Sequence, residues 1–173
     1  MAKRTFQTSI AYTTATALGS AVTASQYMAL KAASATQLVD ILEILGVGIS
    51  TASAVWGGVL ARVSTNETGA QTALASPNSD GGHHPATAAL AAPVQTFIVA
   101  ATTNPTPSSA AADTKKNCGF NAFGGELRIN FAPTQQFSIF GTATPFQEAV
   151  IFNDSGRGGV SSSANVDVIY EPY

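Results

Sequence analysis

The two histidines of the chain stand side by side in the segment Asp80-Gly81-Gly82-His83-His84. Imidazole and carboxylate groups can bind zinc or form a Ser-His-Asp triad, so this segment is the first candidate for chemistry. Metal sites usually draw on ligands spaced along rigid elements, and the chain has no other histidine. Its serines lie in no nucleophile-elbow motif. The pattern therefore favours a polar loop, and we expect neither a metal site nor a catalytic triad.

Two other local patterns contain residue types found in reactive or binding sites. The run Gly156-Arg157-Gly158-Gly159 is as glycine-rich as a phosphate-binding loop, but it lacks the Walker lysine and the GxGxxG spacing. Cys118 is the only cysteine, which excludes an intramolecular disulfide and favours a buried or incidental thiol over a nucleophile. We therefore expect no catalytic residue, no cofactor, no small-molecule substrate and no enzymatic activity.

Asp40 and Glu43 stand out because they interrupt an apolar run. A general-acid pair requires two carboxyl groups that converge, whereas in a regular strand these two would point to opposite faces. We expect edge exposure, or a hydrogen bond to a neighbouring loop. Trp56 and the other aromatic residues are expected to anchor the core or a subunit interface, with a sugar-binding platform as the alternative.

The most apolar run, Leu38–Ile49, allows two interpretations. A helix would place Leu38, Ile41, Leu42 and Leu45 in one stripe and end at Gly46. A strand would place Val39, Ile41, Leu45, Val47 and Ile49 on one face, with Glu43 as the exception. The strand is favoured because the apolar pattern continues beyond Gly46. Val55–Val63 is then expected to be its antiparallel partner, joined through a hairpin loop at Ser50–Ala54.

The remaining chain reads as short strands separated by turns. Residues 64–72 have a turn-like composition, and 75–93 and 104–112 are expected to be two long loops. Alternating or β-rich segments predict further strands at Phe6–Tyr12, Tyr27–Lys31, Gln95–Ala101, Glu126–Phe131, Gln136–Thr142, Glu148–Asn153 and Asn165–Glu171. About eight strands of this kind predict an all-β, antiparallel β-sandwich of jelly-roll type. We expect one domain over residues 1–173, with residues 1–25 as a candidate extended arm.

Charged residues make up only 10% of the chain, compared with roughly 25% in typical soluble domains. Such a surface is either covered by neighbouring subunits or coated by threonine and serine in a monomer. The net charge of −2 argues against nucleic-acid binding, which needs a basic face. No uncharged apolar run reaches 18 residues, and the first residues lack the apolar core of a signal peptide, so we expect no membrane association.

Three segments together resemble a known class of proteins. An Ala/Thr-rich beginning runs into KAASATQLVDILEILGVGIS at Lys31–Ser50, VLARV follows at Val59–Val63, and NVDVIYEPY closes the chain at Asn165–Tyr173. This arrangement is similar to small tailed-bacteriophage virion proteins with a β-sandwich, often jelly-roll-like, body. The chain departs from that pattern in its His-His loop at 75–93 and its Pro/Ser segment at 104–112.

The resemblance implies a capsid decoration or cement protein that stabilises the phage head through interfaces and arms. Its partners would be further copies of itself, with a trimer as the expected homo-oligomer, and the major capsid protein. Its location would be the virion, after synthesis in the host cytoplasm. No functional residues carry over, because such proteins act through shape and buried interfaces. The alternative is a carbohydrate- or receptor-binding β-sandwich module of a phage fibre or tail.

Overall fold

The computed structural model describes residues 5–12, 27–32, 34, 36–65, 68–73, 95–103, 106–107, 116–140, 148–153 and 162–173. Within these ranges the regular elements are twelve β-strands, and no helix long and apolar enough to cross a membrane is found. The strands are β1 Phe6–Tyr12, β2 Tyr27–Lys31, β3 Leu38–Gly48, β4 Val55–Thr65, β5 Thr68–Ala73, β6 Gln95–Thr103, β7 Thr106–Pro107, β8 Lys116–Asn121, β9 Glu126–Asn130, β10 Phe137–Phe140, β11 Glu148–Asn153 and β12 Ala164–Pro172.

The strands form two antiparallel sheets. The five-stranded sheet has the order β1-β12-β3, and β9 and β10 both pair with the remaining edge of β3. The seven-stranded sheet has the order β5-β6-β2-β11-β4, and β7 and β8 both pair with the remaining edge of β4. The prediction of an all-β, antiparallel fold is thus confirmed for the described residues, and the helical alternative for Leu38–Leu45 is excluded.

One extra residue, Leu42, divides β3 into two parts. The neighbouring strand β12 pairs Tyr170 with Ile41 and then Ile169 with Glu43, so that Leu42 is passed over. A β-bulge of this kind reverses the alternation of side chains between the two faces of a strand. It lies between the part of β3 that pairs with β10 and the part that pairs with β9.

The bulge explains why both faces of this stretch look apolar in the sequence. Before it, Val39 and Ile41 are buried in the core, and after it Ile44 takes over that position. Val47 and Ile49 are instead exposed. The prediction that Val39, Ile41, Leu45, Val47 and Ile49 share one face is therefore wrong, although the strand itself is confirmed.

The expected hairpin between β3 and β4 is also wrong. Both edges of β3 are occupied by other strands, and β4 pairs with β11, β8 and β7 in the seven-stranded sheet. The connection at residues 50–54 instead bonds to the turn after β8: Ser50 N donates to Ala122 O at 2.9 Å, and Ala122 N donates to Ala54 O at 2.7 Å. The link thus carries the chain from the five-stranded to the seven-stranded sheet. There, β4 contributes the buried side chains of Trp56 and Leu60 to the core.

Several other predictions are corrected in part. The turn-like segment 64–72 contains the end of β4 and most of β5. Residues 6–12 of the candidate arm form β1, paired with β12 inside the five-stranded sheet, while residues 13–25 lie outside the described ranges. The loop 75–93 also lies outside them, and of the loop 104–112 only β7 is described. Strand β8 was not anticipated.

A single cluster of buried apolar side chains contains residues from both sheets. Tyr12 of β1 is fully buried and connects the sheets directly: its hydroxyl donates to Ile151 O on β11 and accepts a hydrogen bond from Met28 N at 3.1 Å. Burial raises the pKa of this phenol well above its ordinary value.

Arg62 of β4 makes a second connection between the two sheets. Its Nε and Nη2 donate to Ser138 O on β10 at 3.0 and 2.8 Å. The guanidinium group also lies 4.5 Å from the ring centre of Phe137, within the range of a cation–π interaction. Hydrogen bonds to backbone and a ring contact therefore hold β4 against β10.

Candidate functional site

The segments first singled out for chemistry, Asp80–His84 and Gly156–Gly159, lie outside the described residues. Among the residues that are described, no group of three or more histidine, cysteine, aspartate or glutamate side chains could hold a metal ion. The sequence hypotheses about these two segments therefore stay as predictions.

Cys118 on β8 is half-buried, and its thiol donates to Gly58 O at 3.6 Å. Burial raises the pKa of this thiol to about 11, because the thiolate is poorly solvated there, and the bond to Gly58 offsets only part of that effect. A thiol with this pKa is almost fully protonated at neutral pH and is a weak nucleophile.

We predict that alkylation of Cys118 by iodoacetamide is slow at pH 7.5 and rises about tenfold per pH unit up to a pH of about 11. The rate should rise with pH because only the thiolate reacts, and the thiolate fraction grows until the pH reaches the raised pKa. The measurement is the alkylation rate by mass spectrometry, with urea-unfolded protein as the control that levels off earlier. A rate that levels off below pH 9 in the folded protein would contradict the prediction.

Asp40 and Glu43 stand on either side of Leu42 in β3. Because Leu42 forms a bulge, both side chains lie on the face of the sheet that points away from the core, so the prediction of opposite faces is wrong. They have different partners: Asp40 accepts a hydrogen bond from Ser138 Oγ on β10, and Glu43 forms an ion pair with Arg128 on β9. Each carboxylate therefore ties β3 to a neighbouring strand. Asp40 also accepts a hydrogen bond from Gln136 in the loop before β10, in the amide orientation that satisfies that side chain, as expected, whereas the Glu43 ion pair is to a strand residue.

Trp56 is 1% exposed and belongs to the core. Its ring contacts Tyr12 with a centroid distance of 5.8 Å and Phe120 with a distance of 5.2 Å. This burial agrees with the expected role as a core anchor and excludes Trp56 as a sugar-binding platform.

One end of the molecule is built from three chain segments held by backbone hydrogen bonds. We call residues 47–55, 121–125 and 162–163 the Phe123 end. Gly48 N donates to Gly125 O at 2.8 Å, and Ile49 N donates to Ser163 O at 3.0 Å. A side chain at Gly48 would stand 2.3 Å from Ala122 O, and Gly124 has a φ of +69°, so glycine permits both the close packing and the turn. The Phe123 end is therefore held rigidly.

The Phe123 end exposes large apolar side chains. Phe123 is 58% exposed and Val55 54%, and Val47 and Ile49 are also exposed, so four of the six large apolar side chains that are exposed among the described residues lie here. The segments 44–61 and 117–125 contain no charged residue. Beside Val47, the outer face of the five-stranded sheet has an open depression of about 470 Å³ lined by Ser9, Ile10, Ala11, Val47, Asn165 and Asp167.

The other two exposed large apolar residues lie at the opposite end of β3. Phe140 is 45% exposed and Tyr173 43%. Phe140 pairs with Leu38, and Tyr173 N donates to Leu38 O at 2.8 Å, so the two aromatic residues lie on either side of Leu38. We call these three residues the Tyr173 row. No separate pattern in the sequence marks this row, because Phe140 ends the strand that buries Phe137 and Ile139.

Comparison of the chain with protein-family models, curated proteins and solved structures finds no match. The two exposed surfaces are therefore the features of the molecule that bear on its function.

Proposed function

We propose that this chain is a non-enzymatic virion structural protein of the capsid decoration or cement type. Its body would be a jelly-roll-like β-sandwich, and it would form a homo-oligomer, a trimer in the first instance, on the major capsid protein. The shared core and the connections made by Tyr12 and Arg62 support a sandwich arrangement of the two sheets.

The observation that carries the proposal is the Phe123 end. Exposed apolar side chains on segments held by backbone hydrogen bonds lose solvent and little conformational freedom when another protein covers them. Large exposed apolar patches on soluble proteins commonly mark interaction sites. The absence of charge from segments 44–61 and 117–125 makes this surface suited to another apolar protein surface rather than to nucleic acid.

Low overall charge supports the same conclusion. Only 10% of the residues are charged, so copies of the chain repel one another weakly. On a symmetric capsid, many weak contacts combine into stable attachment. A structural protein of this kind needs no reactive groups, and the raised pKa of Cys118 is compatible with such a role.

The test is the solution mass of the purified protein by light scattering after size-exclusion chromatography. We expect three chain masses for the native protein and one chain mass for the double variant Ile49→Ser/Phe123→Ser, because two large apolar contacts are replaced by small polar groups. Asn130→Ser, an exposed position on β9, serves as the control that keeps the native mass. A native protein that stays monomeric, or a double variant that keeps the native mass, would refute the proposed interface.

A second candidate function has its own observation. Exposed aromatic residues on an open sheet face are typical of carbohydrate- or receptor-binding modules, and the Tyr173 row provides two of them. Such a module would belong to a phage fibre or tail.

A further inference from the structure

The Tyr173 row presents two aromatic side chains on either side of β3 in one sheet. Tyr173 follows β12, Leu38 begins β3 and Phe140 ends β10, so the aromatic residues are two strand spacings apart, about 10 Å. Leu38 between them is half-buried. Together they form a nearly flat apolar strip rather than a pocket.

The ring of Tyr173 is fixed in place. Its backbone N is bonded to Leu38 O, and its hydroxyl donates to Glu171 Oε2 at 2.8 Å. Glu171 is itself only 5% exposed, so a buried carboxylate holds an exposed ring. An aromatic side chain positioned in this way loses little conformational entropy when a ligand covers it.

The neighbouring positions carry neutral polar groups that are held by a second buried carboxylate. Asp40, 5% exposed, accepts a hydrogen bond from Ser138 Oγ. In the amide orientation that satisfies its surroundings, Gln136 Nε2 donates to Asp40 Oδ2 at 3.3 Å and to Pro133 O at 3.2 Å. This leaves the Gln136 carbonyl oxygen and the second lone pair of the Ser138 hydroxyl as acceptors on half-buried residues of the outer face.

We propose that the Tyr173 row, with Gln136 and Ser138, binds a neutral oligosaccharide chain. The aromatic rings would stack on the C–H faces of alternate sugar rings, and the fixed amide and hydroxyl groups would accept hydrogen bonds from sugar hydroxyls. The open shape suits an internal stretch of a sugar chain better than a single terminal sugar.

Charge selects the class of sugar. The outer face around the row carries the carboxylates of Asp40, Glu43 and Glu171, and Glu43 forms an ion pair with Arg128. Anionic glycans and nucleic acids are therefore disfavoured. A protein partner fits the Phe123 end better, because four of the six exposed large apolar side chains of the described residues lie there.

The sugar site and the proposed capsid interface lie at opposite ends of β3. This strand has eleven residues, which separates the two surfaces by roughly 35 Å. A protein attached through the Phe123 end would therefore keep the Tyr173 row accessible. The sugar site does not require the capsid role, and the two proposals can fail separately.

The test is calorimetric titration of the full chain with cellohexaose and chitohexaose, two neutral β-linked hexasaccharides, and with a sulfated hexasaccharide. We expect millimolar or tighter binding of at least one neutral probe and none of the sulfated one. Phe140→Ala and Tyr173→Ala should each weaken binding at least tenfold, whereas Asn130→Ala, exposed on β9, should leave it unchanged.

Two kinds of result would overturn the proposal. One is a result against this sugar site: either neither neutral probe binds, or both alanine variants bind as tightly as the native chain. The other is dissociation of the homo-oligomer by Phe140→Ala or Tyr173→Ala, which would identify the row as a protein interface. The Ile49→Ser/Phe123→Ser variant should still bind sugar, because its substitutions lie at the other end of β3. Such binding would show that the sugar site is independent of the capsid interface.

Discussion

Replacing Trp56 with alanine is expected to lower the free energy of unfolding by about 3–5 kcal/mol, the range for removing a large aromatic side chain from a core. The indole is almost fully buried, contacts Tyr12 and Phe120, and lies so close to Gly58 that a Cβ there would be 2.1 Å from the ring. Strand β4 cannot shift into the empty space without breaking its pairing with β11 and β8. In a domain of this size the melting temperature should fall by about 6–20 °C.

The measurement is urea unfolding followed by circular dichroism, because the chain has a single tryptophan and the variant loses that fluorescence signal. Phe140→Ala provides the matched control, since it truncates an exposed aromatic residue and should change stability by less than about 1 kcal/mol.

Trp56→Phe adds a test of the indole N–H. Trp56 Nε1 has no hydrogen-bond partner among the described residues, so phenylalanine should cost clearly less than alanine. Equal losses for the two variants would contradict the account based on ring volume.

Replacing Tyr12 with phenylalanine is expected to cost about 2–4 kcal/mol, although only one oxygen atom is removed. That oxygen serves Ile151 O and Met28 N, and both backbone groups would be left in the core without this partner. Because the two hydrogen bonds run from the five-stranded to the seven-stranded sheet, the substitution should lower the free energy of the cooperative transition in which both sheets unfold. Tyr173→Phe is the comparison variant: its hydroxyl bonds to the Glu171 carboxylate rather than to backbone groups of the opposite sheet, so its loss should be smaller than that of Tyr12→Phe.

The pH dependence of the Tyr12→Phe difference gives an independent check. Burial raises the pKa of Tyr12 in the folded protein above the value of about 10 in the unfolded chain. The stabilisation by a protonated Tyr12 is therefore complete below pH 10 and declines as the pH rises further. The stability gap between the native protein and Tyr12→Phe should narrow above pH 10, and a constant gap up to pH 11.5 would contradict this assignment.

Most strand positions were predictable from the period of two in the sequence. Tyr27–Lys31 and Glu148–Asn153 were predicted with the observed bounds, and Val166, Val168 and Tyr170 are buried on one face as expected. These predictions succeeded because a strand that buries one face must alternate, whatever its partner is. Strand β8 lacks such a pattern: its sequence is polar and glycine-containing, and it is a strand only because β4 pairs with it.

The candidate surfaces were less accessible to sequence reasoning. Val47 and Ile49 look like continuations of the buried positions Val39 and Ile41, but the bulge at Leu42 turns them to the outside. Phe140 likewise continues an apolar segment, and only its pairing with Leu38 shows that it lies in one row with Tyr173. Exposure at these sites depends on one extra residue and on strands distant in the sequence.

The sequence by itself determined an all-β chain with short strands, low charge, a single thiol and no recognisable catalytic motif. Only the tertiary structure decided that β3 pairs with β12, β9 and β10 rather than with β4, that its two halves bury opposite sets of residues, and that apolar side chains are exposed at both of its ends. The physical reason is that alternation is a local property of the backbone. Pairing and register, in contrast, minimise the free energy of burial over strands that are distant in the sequence.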